Sequence, residues 1–224
     1  MDALIQEFFN VPVMVRVAPL ILRGFGETLL LCVILAPIGA IGGLGAMLMA
    51  TSRNWLARGL AIVFIDFFRS FPPLVLLIFV YSGLPFAGIR LSPLPAICVA
   101  FFLNASSYYG EIYRAGVLSV PRGQTEAGRS TGLTASQTFI YVTLPQAVRN
   151  VLPDLLSNTL EVVKLTSLGS VVAVPELLYQ ARQAQSLTYN PTPIVVAAII
   201  YFLMLWPLVR LLSRLENRAL AGRH

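Results

Sequence analysis

Charge is what this chain has least of. Of its 224 residues, 12% are Asp, Glu, Lys or Arg, about half the roughly 25% of a soluble domain. The hydrophobic share is 57% and the mean hydropathy +0.77, which excludes a disordered chain and argues against a water-soluble globule. Lysine occurs once, at Lys164, and histidine once, at His224; the other cations are arginines. They stand singly between apolar stretches, with no basic cluster interleaved with aromatics, so the net charge of +6 does not mark a nucleic-acid surface. The two cysteines, Cys32 and Cys98, sit inside apolar runs and read as small buried hydrophobes without a disulfide framework or metal set. With one histidine and no Ser-His, Cys-His or metal constellation, an enzyme lacks its nucleophile. The composition describes an integral membrane protein.

A hydrocarbon layer of about 30 Å needs roughly 20 apolar residues per helix. Five stretches qualify: Leu29–Ala50, Gly59–Tyr81, Leu94–Ile112, Leu152–Val174 and Ile194–Val209. The second is interrupted by Arg69-Ser70-Phe71-Pro72-Pro73, and the third turns polar in its second half. The fourth carries Asp154, Asn158, Glu161 and Lys164. Residues 1–20 read as an interfacial lead-in, and not as a signal peptide, since no basic segment precedes an apolar core and no small-residue cleavage site follows. Five spans put the termini on opposite sides. The loops holding Arg53, Arg58, Arg114, Arg122, Arg129, Arg149, Arg210, Arg214, Arg218 and Arg223 outnumber those holding Arg16, Arg23, Arg90 and Arg182. The positive-inside rule then places the C-terminus in the cytoplasm and the N-terminus outside.

Ionisable groups within a span cost a few kcal/mol on insertion scales and normally face protein or water. Asp154, Asn158 and Glu161 fall at i, i+4 and i+7 on one helix face, with Lys164 three residues on. Asn104, Tyr108 and Glu111 repeat the spacing on the third span. Either these stripes glue helices together or they line a solute path; both readings stand at this point. Pro72 and Pro73 lack N–H groups, and Phe71 before them is pushed out of the α region. The helix should break or kink there, either beside a cavity or substrate path or simply as a kinked packing helix. Gly39 and Gly43 form a GxxxG pair that suits packing within the chain or a dimer seam.

The segment from Arg114 to Asn150 is too long for a turn and too patterned for a linker. Pro121 can open a short helix through Glu126-Ala127-Gly128-Arg129, and Gly132 is placed to end it in the left-handed conformation. Thr134-Ala135-Ser136-Gln137 reads as a capping box. A second helix then runs through Phe139–Val142 until Leu144-Pro145. The expected product is a helix–glycine–helix elbow on the cytoplasmic face, either an interfacial anchor or a rigid lever presented to a partner protein.

At this elbow the sequence becomes familiar. Glu126-Ala127-Gly128, three residues, Gly132, nine residues and Val142-Thr143-Leu144-Pro145 resemble the EAA loop of ABC-importer permeases, E-A-A-x3-G-x9-I-x-L-P, with Gly128 and Val142 as mild departures. Further segments resemble polar amino-acid permeases in particular. They include Gly26-Glu27-Thr28-Leu29, Phe68-Arg69-Ser70-Phe71-Pro72, Leu103-Asn104-Ala105-Ser106-Ser107-Tyr108, Lys164-Leu165-Thr166-Ser167-Leu168 and Glu176-Leu177-Leu178. The likeness runs from about residue 24 to residue 216.

The resemblance implies an all-α membrane domain of five transmembrane helices, the type I ABC-importer permease fold. It spans residues 21–216, with a coupling loop at 117–149 and a cytoplasmic tail at 217–224. It also implies a bacterial cytoplasmic (inner) membrane location, a second permease (a copy or a paralogue), two cytoplasmic ATPase subunits and a periplasmic or lipid-anchored amino-acid-binding protein. No nucleic acid is implied. No G-x-x-x-x-G-K-[ST] run occurs, so ATP and magnesium would belong to the ATPase chains and none of the cofactor chemistry to this one. Glu126, Ala127, Gly128, Arg129, Gly132, Leu144 and Pro145 would form the ATPase-coupling elbow, with an internal cap or ion pair as the plainer role for Glu126. The candidates for the solute path are Phe71, Pro72, Asn104, Ser107, Tyr108, Asn158, Glu161, Lys164, Thr166 and Ser167. Many relatives carry an acidic or amide residue where this chain has Leu165, which weakens the case for a strongly cationic amino acid. An ion-coupled carrier or channel working without an ATPase, with Glu111, Glu161 and Lys164 as its ion site, is the alternative.

Overall fold

The computed structural model describes residues 7–221, and side chains as far as residue 214. Residues 1–6 of the expected lead-in lie outside this, as do His224 and the side chains of Arg218 and Arg223. Helix α1 runs Val11–Ala50, so positions 11–20 continue the helix of the first span. Next come α2 (Trp55–Ser70) and α3 (Pro73–Ile78), which winds on through a π turn (Phe79–Gly83) and a 3-10 turn (Leu84–Ala87). Helices α4 (Pro93–Leu118) and α5 (Arg122–Ser130) lead to the short α6 (Ala135–Thr138). A π turn (Phe139–Thr143) joins α6 to α7 (Leu144–Leu165). A 3-10 run (Thr166–Val172), α8 (Leu177–Thr188) and α9 (Thr192–Ala221) complete the chain.

Among the described residues the regular structure is all helical. Among the described residues two helices are long and apolar enough to cross a membrane singly, Val11–Ala50 and Thr192–Arg214. Two bent pairs qualify only when each is taken together: Trp55–Ser70 with Pro73–Ala87, and Ala135–Val172 with Leu177–Thr188. The break at the prolines is as expected. Phe71 leaves the helix at φ −86°, ψ 126°, and Pro72 stays extended at φ −59°, ψ 126°, because a residue before proline is held out of the α region.

One expectation is corrected. The second elbow helix does not stop at Leu144-Pro145 but passes through the π turn into α7. In the π turn the Leu144 N–H reaches back five residues to the Phe139 carbonyl. That extra residue falls immediately before the position where proline would disturb an α ladder.

The chain divides into two compact units. The first comprises the residues through Pro37, Pro72–Phe101 and Leu160–Leu211; the second comprises Ile38–Phe71, Phe102–Thr159 and the residues from Leu212 on. In the first, Val17, Ile21, Leu177, Ala181, Ala184 and Ala197 form a buried cluster from α1, α8 and α9. In the second, Ala46, Ala50, Ala61 and Ile65 join α1 to α2.

The small residues of α1 form a seam within the second unit. A Cβ on Gly39 would lie 2.6 Å from the Ala105 Cβ, and one on Gly43 would lie 2.5 Å from the Tyr109 Cβ and 2.7 Å from the Gly110 nitrogen. This backbone approach uses the absent side chains. Gly43→Ala is expected to lower the melting temperature of the purified permease, as overpacking costs about 1–3 kcal/mol. Gly45→Ala, with nothing within 4 Å of its added carbon, is expected to raise it slightly, since alanine suits a helix interior by roughly 0.5–1 kcal/mol. Equal melting of the two variants would refute the seam.

Candidate functional site: the elbow and the polar stripes

The elbow is built from local chemistry. Pro121 caps α5 at φ −59°, ψ 138°. Helix α5 closes with the Thr131 N–H on the Ala127 carbonyl and the Gly132 N–H on the Arg129 carbonyl. Gly132 then reverses the chain at φ +88°, a conformation that glycine enters freely. The capping box follows, with the Gln137 N–H donating to the Thr134 hydroxyl at 3.3 Å and the Thr134 N–H to the Gln137 side-chain oxygen at 2.8 Å. Gly128 is buried, and a Cβ there would meet the Thr138 Cγ2 at 2.9 Å and the Val142 Cγ2 at 3.3 Å. The departure from alanine at this position thus lets α5 lie closer to the segment after it.

The two charged residues of the elbow do different things. Arg129 donates to the Leu133 carbonyl at 2.7 Å and braces the bend from inside. Glu126 is exposed, and its backbone carbonyl accepts the Ser130 hydroxyl at 2.9 Å. Among the described residues its carboxylate forms no ion pair. Ala127 and Pro145 are exposed with it, as are Ile140 (51%), Tyr141 (70%), Leu144 (38%) and Val148 (46%). One carboxylate among uncovered apolar side chains suits a protein partner.

The stripe on α4 has a definite task. Because α2 stops at Phe71, its last carbonyls have no partner within the helix. The Asn104 Nδ2 donates to the Phe68 carbonyl at 3.2 Å, and the Tyr108 hydroxyl to the Arg69 carbonyl at 3.2 Å. The Arg69 guanidinium lies 5.6 Å from the centre of the Tyr108 ring and 3.8 Å from Glu111. Glu111 is held in a fork by Arg114, at 2.8 and 2.7 Å. Asn104, Tyr108 and Glu111 therefore fasten the broken end of α2 to α4. Ser107 is fully buried and donates to the Asn104 carbonyl at 2.6 Å.

On α7 the Asn158 Nδ2 is buried without a hydrogen-bond partner. Its amide lies beside the Tyr109 hydroxyl without a bond of good hydrogen-bond geometry forming between them. Lys164 pairs with Glu161 at 2.6 Å on an exposed face. Thr166 is fully buried, donating to the Val163 carbonyl at 2.7 Å, and Ser167 donates to the Lys164 carbonyl at 2.8 Å. Asp154 and Pro72 are exposed, and Phe71 is half-buried. Phe71, Asn104, Ser107, Tyr108 and Asn158 belong to the second unit, and Pro72, Glu161, Lys164, Thr166 and Ser167 to the first.

Sequence reasoning assigned no chemistry to Glu176. Its carboxylate is fully buried and accepts the Leu178 N–H at 2.8 Å, the Tyr179 N–H at 2.7 Å and the Tyr201 hydroxyl at 2.9 Å. The Thr28 hydroxyl accepts the Leu177 N–H at 3.0 Å. Two segments far apart in sequence thus cap α8 together. The available signal was a carboxylate just ahead of a helical apolar spacing, where an acceptor meets free N–H groups and the positive end of the helix. No group of three His, Cys, Asp or Glu able to hold a metal occurs among the described residues.

Comparison with known proteins accords with this geometry. Residues 42–220 match the family model described as binding-protein-dependent transport system inner membrane component. The chain is 35% identical over 198 residues to the probable amino-acid ABC transporter permease protein YckA of Bacillus subtilis (strain 168), covering 88% of each. It is 34% identical over 203 residues to the glutamine transport system permease protein GlnP of Escherichia coli (strain K12), covering 89% of this chain and 93% of that one. A crystal structure of an amino acid ABC transporter with histidines superposes with a TM-score of 0.84 at 36% identity, covering 92% of this chain and 96% of the other. The inward-facing MetNI methionine ABC transporter shares the fold, with a TM-score of 0.74 at 22% identity. This chain belongs to the family of binding-protein-dependent transport system inner membrane components, the permease subunits of ABC importers.

Proposed function

We propose that this permease moves a polar amino acid into the cytoplasm by alternating access, as one of a pair of permeases with two ATPase subunits and an external binding protein. It crosses the bacterial inner membrane five times, with its N-terminus outside and its elbow in the cytoplasm. Support for the amino acid comes from relatives named for glutamine, cystine and arginine transport, and support for the orientation from the arginine distribution. The observation that carries the reading is the elbow. Gly132 and the capping box fix its bend, and Glu126 with its apolar neighbours is left uncovered. ATP binding draws the ATPase subunits together, the elbows move with them, and the permease pair opens outward; hydrolysis resets it. Such a switch works only because nucleotide binds the two states unequally. In the first unit Glu161, Lys164 and Ser167 are the candidates reachable from solvent; in the second, Asn104 and Tyr108 fasten the broken end of α2.

The test is uptake by proteoliposomes carrying the assembled importer. Labelled L-glutamine, L-cystine and L-arginine are supplied with the binding protein outside and ATP within. Uptake of at least one solute that requires both ATP and the ATPase subunits is expected. Gradient-driven uptake by this chain alone would overturn the assignment.

A further inference from the structure

A cavity of about 450 Å³ opens beside α8, lined by Ser170, Val171, Tyr179, Arg182, Gln183 and Ser186. That is within the roughly 300–1,000 Å³ of small-molecule sites. Tyr179, Arg182, Gln183 and Ser186 recur at i, i+3, i+4 and i+7, so they form one face of the helix. The other face, Leu177, Ala181 and Ala184, is locked into the core with Val17, Ile21 and Ala197, and Glu176 pins the helix start. The polar face is therefore held rigidly toward the cavity. Ser170 and Val171 come from the 3-10 run that continues directly from Thr166 and Ser167. That run is turned back by Ala173 at φ 60°, an uncommon conformation for a residue with a side chain and one that marks a constrained bend.

The lining has one formal charge, the exposed Arg182, and no carboxylate. Glu176, one turn and a half earlier, is fully buried and committed to its three donors. Among the described residues the Arg182 guanidinium pairs with no acid. The Gln183 Nε2 donates to the Tyr179 hydroxyl at 3.0 Å, which leaves the Gln183 carbonyl oxygen as an acceptor. The Ser186 hydroxyl donates to the Arg182 carbonyl at 3.1 Å and keeps its own lone pairs.

Resting on the amino-acid permease reading above, we propose that this cavity is a binding station for a free amino acid without a cationic side chain. Its carboxylate sits on the Arg182 fork, and its ammonium on the Gln183 carbonyl oxygen and the Ser170 and Ser186 hydroxyls. A guanidinium presents paired donors that match a carboxylate bidentately. A solute bearing a second cation meets a like charge at Arg182, with no carboxylate among the described lining residues to offset it. The cavity thus selects for neutral or acidic amino acids.

The test measures binding of labelled L-glutamine and L-arginine, by equilibrium dialysis, to the permease–ATPase complex in nanodiscs without binding protein. ATP-driven uptake by the same complex with binding protein runs alongside. The wild-type complex is expected to retain glutamine over arginine. Arg182→Ala should weaken glutamine binding at least tenfold, Arg182→Lys should recover part of it, and Arg182→Glu should reverse the preference toward arginine. Each variant is compared as the assembled complex on size exclusion. Should Arg182→Glu not assemble, Gln183→Leu takes its place and is expected to weaken glutamine binding severalfold with the charge unchanged. Glutamine binding within twofold of wild type in Arg182→Ala, or a wild-type complex that holds arginine as tightly as glutamine, overturns the proposal. If uptake proceeds while binding ignores Arg182, the cavity is refuted and the permease reading stands. If no amino acid is imported at all, the permease reading itself fails.

Discussion

Gly132→Val is expected to cost at least tenfold in ATP-driven uptake while the permease reaches the membrane in normal amount. The reason is backbone geometry. Gly132 sits at φ +88°, where an L-residue meets its own carbonyl at a cost of roughly 1–2 kcal/mol, and valine suffers more because its β-carbon is branched. The chain escapes by moving the residue to negative φ. That lengthens the path between α5 and α6 and pulls on the Gly132-to-Arg129 hydrogen bond and the Arg129 brace on Leu133. The elbow then loses its bend, whereas the apolar helices do not depend on it. Substitutions should rank accordingly. Gly132→Asn, which tolerates the left-handed region, keeps most uptake; Gly132→Ala falls between; Gly132→Val is worst. Uptake normalised to permease abundance by immunoblot reads the order. Valine equal to glycine would show that the bend carries no motion to the transport path.

The elbow was legible in the sequence because each of its parts is local. Pro121, Gly132 and the Thr134–Gln137 box each act within four residues, so no tertiary knowledge was needed to place them. The break at Phe71-Pro72 was readable for the same reason. What escaped depended on distant partners or on the ladder itself. Leu144-Pro145 promised a helix end, yet a π turn shifted the hydrogen bonding by one residue and the helix continued. Asn104 and Tyr108 showed their common face, but which groups they would meet followed from the freed carbonyls of another helix. Glu176 was the largest omission. An acid between Pro175 and Leu177 looks like loop chemistry until α1 and α9 are packed around it.

Glu176 is accordingly where a single substitution should cost the most stability. Its carboxylate satisfies two N–H groups at the start of α8 and the Tyr201 hydroxyl from α9, in a place from which water is excluded. Glu176→Ala deprives three part-buried donors of their shared acceptor, at about 1–3 kcal/mol for each that finds no other partner. The expected loss is then on the order of 3 kcal/mol or more, a fall of roughly 6–12 °C in melting temperature for a chain of this size. Glu176→Gln keeps the volume but turns one oxygen into a donor facing another donor, so it should melt between the two. Glu176→Asp shortens the reach to the Leu178 and Tyr179 N–H groups and should resemble alanine more than glutamine. Thr28→Val removes the neighbouring cap on the Leu177 N–H and should cost about 1–3 kcal/mol by the same reasoning. Coupling is expected between these two sites, since both close the first turn of α8 and groups in one network do not add independently. The double variant Glu176→Ala/Thr28→Val should therefore lose less than the sum of the single losses. The readout is thermal unfolding of the purified permease in one detergent. A shift under 2 °C for Glu176→Ala would mean that α8 is held by its apolar face alone, with the buried carboxylate adding nothing to its anchorage.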